Sequence, residues 1–283
     1  MFRTWFFLSV IIIICELSLR CIGFCHAPLY EENRNYEYIV ARNQDIRRFG
    51  KHYFVNNYHQ RSDNLSPGKR KILFVGDSVI NGGVLTDHND LATTILTNET
   101  NNQCLNISCG SWGPDNVAAY LDEFGIFGAQ KLILICSSHD AHDNMEFASV
   151  VGNHPSYPKT QYPLALFELL FRYIIPNFYN LEGSPTQGIA KKGVGFNSGF
   201  DALFELSRKQ KLDFILYLHP EINELLSKKY NPQGEEILSW ARSHRVSVLQ
   251  GIDFGFVKED YRDNIHINES GQKKLAKLFK CKL

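Results

Sequence analysis

The sequence predicts an α/β protein, a three-layer α/β/α sandwich on a parallel sheet of about five strands, preceded by an apolar N-terminal helix. Two observations lead to this prediction. Short, unbroken apolar runs recur after residue 70, and helical patterns lie between them. Apolar runs that do not alternate with polar residues are typical of strands buried on both faces. Strands that alternate with helices form parallel sheets covered on both sides.

The N-terminal segment is the first element. Trp5 to Cys15 is an unbroken apolar run, and the apolar character resumes after Glu16 as far as Phe24. The run alone fits the core of a signal peptide, whereas the longer stretch can cross a bilayer with Glu16 and Arg20 near its far interface. No clear cleavage site follows, so we favour an uncleaved signal anchor over residues 1–25, with a cleaved signal and a buried core helix as the alternatives.

The charge composition argues against a nucleic-acid partner. Lys and Arg together number 30, as do Asp and Glu, so the formal net charge is zero. Because long basic stretches are also absent from the sequence, we expect no nucleic-acid partner. The seven cysteines show no paired C-x-x-C spacing of a structural zinc site. Cys104 and Cys109 either form a disulfide or remain buried thiols, and the oligomeric state is not indicated.

The chain after the anchor divides into a linker and a domain. Residues 26–70 are polar and aromatic, are interrupted by Asn and close with the turn Ser66-Pro67-Gly68. We expect them to form a juxtamembrane linker that packs loosely on a domain covering residues 71–283. Residues 144–200, rich in Pro, Tyr and Phe, do not fit the alternation of strands and helices. We expect a cap-like insertion there that includes a short helix and shapes access to the site.

Within the domain, five apolar runs predict the strands. They are Ile72–Val75, Cys104–Ile107, Leu132–Ile135, Phe214–Leu218 and Val246–Leu249. Helical patterns with start signals or apolar periodicity predict three helices. They cover Asn116–Phe127, Gly234–His244 and Glu269–Phe279. In such sheets, functional residues lie at the carboxyl ends of the strands.

Candidate catalytic residues lie at both ends of this domain. Ser78 follows the first predicted strand in Gly76-Asp77-Ser78, and a serine in a sharp strand-to-helix turn can act as a nucleophile when a base activates it. Asp263 stands three residues before His266, ahead of the last predicted helix. A carboxylate at this spacing can hold the ring Nδ1–H, so that Nε2 accepts the serine proton. Asp253 is an alternative acid.

At these positions the sequence resembles the SGNH (GDSL-type) hydrolase family. Four blocks occur in the family's order over most of the chain: Ser78, the stretch Asn106–Gly113, the stretch Ser137–Asp140, and Asp263 with His266. The resemblance implies a flavodoxin-like sheet and esterase chemistry without a cofactor or a metal. It also implies that Ser78, Asp263 and His266 are catalytic.

The same resemblance implies oxyanion or substrate contacts by Gly110, Ser111, His139 and Asp140. One departure is that His139 stands where the family has an asparagine whose side chain donates to the oxyanion. A histidine can donate an N–H as well. The departure also leaves open a non-catalytic, polymer-binding relative.

A metal site is the rival interpretation of this region. His139, Asp140, His142 and Asp143 place two imidazoles and two carboxylates within five residues, and His154, His219 or Asp253 could complete a ligand set. The serine framework explains the same position at a strand end, and we favour it.

We therefore expect an extracytoplasmic, membrane-anchored serine esterase that removes a small acyl group from a carbohydrate or cell-envelope substrate. An O-acyltransferase that uses the same three residues is the alternative.

Overall fold

The computed structural model describes residues 2–178, 189, 191 and 193–283. Its strands form two short antiparallel hairpins and one larger sheet. They are β1 (Tyr30–Asn33), β2 (Glu37–Val40), β3 (Gln44–Arg48), β4 (Lys51–Val55), β5 (Arg70–Gly76), β6 (Asn102–Ser108), β7 (Lys131–Ser137), β8 (Asp213–His219) and β9 (Ser247–Gln250). The larger sheet is parallel throughout and has the strand order β6-β5-β7-β8-β9.

Helices pack on both faces of this sheet. The α-helices in the described part of the chain are α1 (Phe2–Cys21), α2 (Ser78–Asn81), α3 (Ala92–Glu99), α4 (Pro114–Phe124), α5 (Ala165–Glu168), α6 (Ile175–Phe178), α7 (Gly199–Gln210), α8 (Ile222–Ser227), α9 (Pro232–His244) and α10 (Glu269–Lys280). One face of the sheet is covered by α4, α7 and α9 and the other by α2, α3 and α10. The predicted α/β/α sandwich with a five-stranded, flavodoxin-like sheet is therefore confirmed.

The core follows from the pleat of the parallel strands. In β5, Leu73 and Val75 point to the α4 side, and Ile72 and Phe74 point to the α10 side. All four side chains are completely buried. A strand that is buried on both faces has no polar side, which is why the sequence shows continuous apolar runs instead of alternation. All five predicted runs are strands of the sheet, and the three predicted helices form as α4, α9 and α10.

Residues 26–70 differ from the expected loose linker. They form the hairpins β1–β2 and β3–β4, which contribute fully buried aromatic side chains to the core, including Tyr36, Tyr38 and Tyr53. Arg61 is also completely buried, with its guanidinium 3.9 Å from the centre of the Tyr53 ring. The expectation of loose packing is wrong because these large amphipathic side chains bury their apolar parts while most of their polar atoms find partners.

The N-terminal helix α1 has no buried residue. It is long and apolar enough to cross a membrane, a property that rests on its length and composition alone. Its carboxyl-terminal end contacts the region predicted as a cap. The anchor itself stays a prediction, as does the division of the chain at residues 25 and 70.

The expected insertion contains a helix that runs along the outside of the domain. Helix α5 continues through a π-helical segment, Leu169–Ile174, into α6. We refer to residues 165–178 as the outer helix. The predicted insertion extends over residues 179–188, 190 and 192, which lie outside the described part of the chain.

Candidate functional site

Ser78 lies at the first turn after β5, at the start of the short helix α2. The strand ends at Gly76, where a Cβ atom would overlap the carbonyl oxygen of Ile135 on the neighbouring strand β7. Glycine therefore lets the two strands stay close at the point where the chain turns. Asp77 caps the helix, since its Oδ1 accepts from the N–H of Val79 at 2.9 Å. This turn presents the Ser78 hydroxyl at the carboxyl end of the sheet.

His266 and Asp263 reach Ser78 from the loop before α10. The distance between His266 Nε2 and Ser78 Oγ is 2.9 Å, and the distance between His266 Nδ1 and Asp263 Oδ2 is 2.8 Å. Asp263 Oδ1 also accepts from the backbone N–H groups of Ile265 and His266, at 3.0 and 2.7 Å. The structure thus brings Ser78 together with Asp263 and His266, which lie near the other end of the sequence.

Electrostatics favour an ionised Asp263. Partial burial acts to raise the pKa of its carboxyl, but the hydrogen bonds from the His266 ring and from two backbone N–H groups outweigh it and hold the pKa well below its usual range. An ionised carboxylate accepts the Nδ1–H, which leaves the Nε2 lone pair directed at the Ser78 hydroxyl. This chain of hydrogen bonds can move a proton from the serine to the imidazole.

These residues open onto a cleft of about 650 Å³, which lies at the carboxyl ends of β5, β6 and β7. Its walls come from the strand-end loops, the hairpins, the outer helix and residues of the predicted insertion. The residues that line it include Tyr30, Tyr53, Ser78, Gly110, Ser111, His139, Asp143, Tyr157, Arg172, Lys191 and His266. Ser78, His266, Gly110, Ser111 and His139 were all identified from the sequence.

His139 is surrounded by carboxylates. Its Nε2 lies 3.8 Å from Asp77 Oδ2 and 3.8 Å from Asp143 Oδ2, and its Nδ1 lies 3.9 Å from Glu221 Oε1. Burial acts to lower the pKa of the imidazole, but these carboxylates and that of Asp140 raise it to about 10. This shift favours a protonated His139 at neutral pH, in the cleft that Ser78 also lines.

Asp140 occupies a different place from the one expected. It does not line the cleft and is almost completely buried, with Oδ2 accepting from the N–H of Ser137 at 2.7 Å. Its other oxygen, Oδ1, is buried with no hydrogen-bond partner in the described structure. Burial raises the pKa of this carboxyl well above its usual range. Asp140 therefore shapes the turn that carries His139, which corrects the predicted contact with substrate.

Gly110 and Ser111 line the cleft after β6, as expected, and two tyrosines hold them in place. The hydroxyls of Tyr38 and Tyr157 each donate to the Gly110 carbonyl oxygen at 3.0 Å. Tyr157 is also 3.2 Å from Ser111 Oγ. Ser111 itself has a φ of +57°, a left-handed conformation that is uncommon outside glycine. These contacts support the backbone at the position where the family supplies an oxyanion donor.

Sequence reasoning missed Tyr157 and Lys191, which line the cleft, and two carboxylates, Glu37 and Glu221, that contact cleft residues. Tyr157 belongs to the aromatic-rich stretch recognised as an insertion, but nothing in the sequence indicated its contact with Gly110. Lys191 and Glu37 form a buried ion pair of 2.9 Å. Glu221, whose Oε1 lies 3.9 Å from His139 Nδ1, comes two residues after the end of β8, and this position near a strand end was a usable signal.

The structure does not assemble the metal site considered above. His142 Nε2 faces Glu236 Oε2 at 2.8 Å, and His219 is buried with Nε2 2.9 Å from the carbonyl oxygen of Ile265. Potential ligand atoms of Asp77, His139 and Asp140 lie within 4.8 Å of one another, so a smaller cluster of ligand types does exist. Asp253, the alternative acid, lies in a turn after β9 and is not among the cleft residues.

The sheet order and the strand-end position of Ser78 define an SGNH hydrolase-like fold. No family model matches the sequence, and no curated protein matches it. Among solved structures, the chain is similar to a protein assigned to the lipolytic G-D-S-L family from Desulfitobacterium hafniense. The identity is 12% and the TM-score 0.45, over 76% of this chain and 100% of that one.

Two further structures are similar over a smaller share of their own length. One is a GDSL-like lipase from Bacteroides ovatus, with 15% identity and a TM-score of 0.46 over 78% of this chain and 54% of that one. The other is a family two carbohydrate esterase from Clostridium thermocellum, solved with cellohexaose, with 10% identity and a TM-score of 0.42 over 78% of this chain and 65% of that one. At such identities, reaction and substrate have to be argued from the site itself.

Proposed function

We propose that the protein is a serine ester hydrolase in which Ser78 is the nucleophile, His266 the general base and Asp263 the residue that orients the imidazole. The contact between Ser78 Oγ and His266 Nε2, at 2.9 Å, is the observation that carries the proposal. The 2.8 Å contact between His266 Nδ1 and Asp263 supports it, because it fixes the ring in the tautomer that can accept the serine proton.

In the proposed reaction, Ser78 Oγ attacks the ester carbonyl carbon as its proton moves to His266 Nε2. Collapse of the tetrahedral intermediate breaks the bond to the alkoxy group, which leaves as an alcohol with the proton from His266. Water then attacks the acyl-enzyme and gives a proton to His266. As the bond from the acyl carbon to Ser78 Oγ breaks, His266 returns this proton to Oγ, and the carboxylic acid leaves. No cofactor is required for these steps.

The developing oxyanion needs donors that are already in place. We assign the backbone N–H of Ser78 at the start of α2 and the backbone at Gly110, which Tyr38 and Tyr157 hold through its carbonyl. We assign His139 as the third, charged donor. An imidazolium is a stronger donor than the amide it replaces in the family, since a charged hydrogen bond is about twice as strong as a neutral one.

The substrate class follows from the walls of the cleft and from α1. Tyr30, Tyr53 and Tyr157 line the cleft with rings that combine an apolar body and a hydroxyl group, which suits the apolar and hydroxyl faces of a sugar. We propose a small acyl ester on a carbohydrate or cell-envelope substrate. The anchor predicted in α1 would place this activity outside the cytoplasm.

The proposed mechanism is tested with the full chain and a chromogenic acetate ester. Ser78→Ala is expected to abolish turnover and labelling by a serine-directed phosphonate, because no other group supplies the nucleophile. Ser227→Ala, an exposed serine on α8, serves as the matched control and is expected to keep both. Full activity in Ser78→Ala would refute the proposal.

Two added arms separate the alternatives. Turnover that survives exhaustive chelation supports the serine mechanism, whereas loss on chelation and recovery with added metal would favour the cluster of Asp77, His139 and Asp140. With a sugar acceptor present, release of free acetate supports hydrolysis. Acetyl transfer to the sugar would instead identify a transferase that uses the same residues.

A further inference from the structure

The outer helix exposes apolar side chains to the outside and buries its charged ones. Among the side chains that the structure describes in this helix, those that point away from the domain are all apolar, and they recur every three or four residues. Their exposed fractions are 45% for Phe167, 39% for Leu170, 52% for Phe171, 41% for Ile174 and 84% for Phe178. The charged side chains of the same helix, Glu168 and Arg172, point inward and are buried.

A surface helix in water shows the opposite arrangement, with charged residues outward and apolar residues toward the core. Single exposed apolar residues are ordinary, but a contiguous stripe of this kind marks a surface with an apolar partner. The two charged side chains of this helix do not face the outside, because Glu168 accepts hydrogen bonds from Arg48 and Arg172 in the interior. The outward face therefore suits a lipid environment.

The position of the outer helix beside α1 identifies that partner. Glu16, near the end of α1, caps the outer helix by accepting from the N–H groups of Ala165 and Leu166 at 2.9 and 3.0 Å. Arg20 donates to the carbonyl oxygen of Pro163 at 2.7 Å. Glu16 lies five residues before the end of α1, a rise of about 7.5 Å along the helix axis. The outer helix thus begins at the depth of the last turns of the apolar helix.

We propose that the outer helix lies in the interface of the same lipid bilayer that α1 enters, with its apolar stripe in contact with acyl chains. This inference rests on the proposed anchoring by α1 and adds a second, in-plane membrane contact. Such helices place an apolar face at the boundary between headgroups and acyl chains. Here the polar groups on the opposite face are held by the protein instead of by water.

The proposed contact also places the candidate active site at the lipid surface. Arg172 lines the cleft from the inner face of the helix whose outer face carries Phe171. The thickness of one helix, about 10 Å, separates the cleft from the lipid. The site would therefore work on acyl esters presented close to the bilayer surface.

Depth-dependent fluorescence quenching tests this proposal on the full chain in nanodiscs. Phe171→Trp and Ile174→Trp each add one tryptophan to the stripe, and two positions guard against a variant that does not fold. Asn101→Trp is the control, because Asn101 is exposed at the amino-terminal edge of the sheet, opposite the cleft. Tryptophan emission is compared in phosphatidylcholine with and without bromine on the acyl chains. The emission of the protein without an added tryptophan is subtracted.

We expect brominated lipid to remove about half or more of the added emission at residues 171 and 174 and almost none at residue 101. Trp5 in α1 reports separately on the anchor. Unquenched tryptophans at both stripe positions, with Trp5 quenched, would overturn the interfacial helix while leaving the anchor intact. Unquenched Trp5 would overturn both. If the emission at residues 171 and 174 changed with the number of protein copies per disc and not with bromine, a second copy would be the partner. This result would also overturn the proposal.

Discussion

Asp263→Asn is the substitution that tests the proposed proton path most directly. Asparagine has the size of aspartate, and its amide oxygen can keep the hydrogen bonds that Oδ1 accepts from the N–H groups of Ile265 and His266. Its NH₂ group, however, then faces His266 Nδ1, which Asp263 Oδ2 contacts at 2.8 Å. The imidazole must present a lone pair at Nδ1, so its hydrogen moves to Nε2, the atom that faces Ser78.

The expected loss follows from this change of tautomer. An imidazole with a hydrogen on Nε2 cannot accept the Ser78 proton, and the matching substitution in a serine protease lowers kcat by about 10⁴, or about 5.5 kcal/mol of transition-state stabilisation. The Asp263 side chain is 50% exposed, so water screens part of its charge. We therefore expect kcat to fall between about 10³- and 10⁴-fold with little change in KM.

Steady-state hydrolysis of a chromogenic acetate ester measures this effect, and thermal unfolding checks that the variant is folded. Asp253→Asn is the matched control, because Asp253 is the other aspartate that the sequence offered as the acid and it does not line the cleft. It is expected to retain activity within about twofold, as is usual for a position away from the reacting groups. The assigned proton path would be wrong if Asp263→Asn kept a tenth or more of the activity. It would also be wrong if Asp253→Asn lowered kcat by about 10³-fold or more.

Three further outcomes are expected. His139→Asn removes a cation that lies 3.8 Å from Asp77 and leaves carboxylates uncompensated beside the cleft, so kcat should fall about 10- to 100-fold in steady-state assays; a faster variant would contradict this role. Tyr157→Phe should lower the free energy of unfolding by only about 1 kcal/mol in thermal or denaturant unfolding, since Tyr38 still donates to the Gly110 carbonyl at 3.0 Å; a loss several times larger would contradict this account. Burial lowers the pKa of His219 to about 4. As pH drops, this histidine therefore takes up a proton in the unfolded chain, near pH 6.5, before it does so in the folded protein. The free energy of unfolding should fall between about pH 6.5 and 4, by up to about 3 kcal/mol. Unfolding of His219→Gln should show a shallower pH dependence over this window, and an unchanged slope would refute the assignment.

The strands were predictable because burial on both faces leaves a continuous apolar signature. Ile72 to Val75 is such a run, and its four side chains are completely buried. The ends of these runs also located the candidate site, since Ser78, Gly110 and His139 each follow a strand. The pattern predicted where the chain ends its strands, and therefore where reactive side chains meet.

The hairpins were not predictable by the same reasoning. Tyr36, Tyr38 and Tyr53 count as only moderately hydrophobic, and Arg61 counts as a surface residue, yet all four are buried. Arg61 is accommodated by donating to the carbonyl oxygens of Phe54 and Thr86 in addition to its contact with the Tyr53 ring. Such contacts depend on how the chain folds back on itself, so local hydropathy cannot reveal them.

The surroundings of His139 could not be predicted from the sequence for a similar reason. Its substitution for asparagine was visible, but its charge depends on Asp77 and Glu221, which come from other strand ends. Sequence spacing showed only the neighbours on its own turn, Asp140 and Asp143. Of these, Asp140 is turned away beneath the cleft, while Asp143 lines it. A local cluster of ligand types is therefore a weak guide to which groups share a site.

A buried charge network links the end of α1 to the wall of the cleft. Glu168 on the outer helix accepts from the N–H of Cys25, just after α1, and from Arg48 on β3 and Arg172 beside the cleft. Arg48 also donates to the carbonyl oxygen of Gly23 at 2.7 Å. Removing one partner from such a network leaves a buried charge uncompensated, so separating these three elements is costly. If α1 lies in a bilayer, as we propose, this network holds the cleft close to the lipid surface, and the proposed hydrolase is expected to act on esters held there.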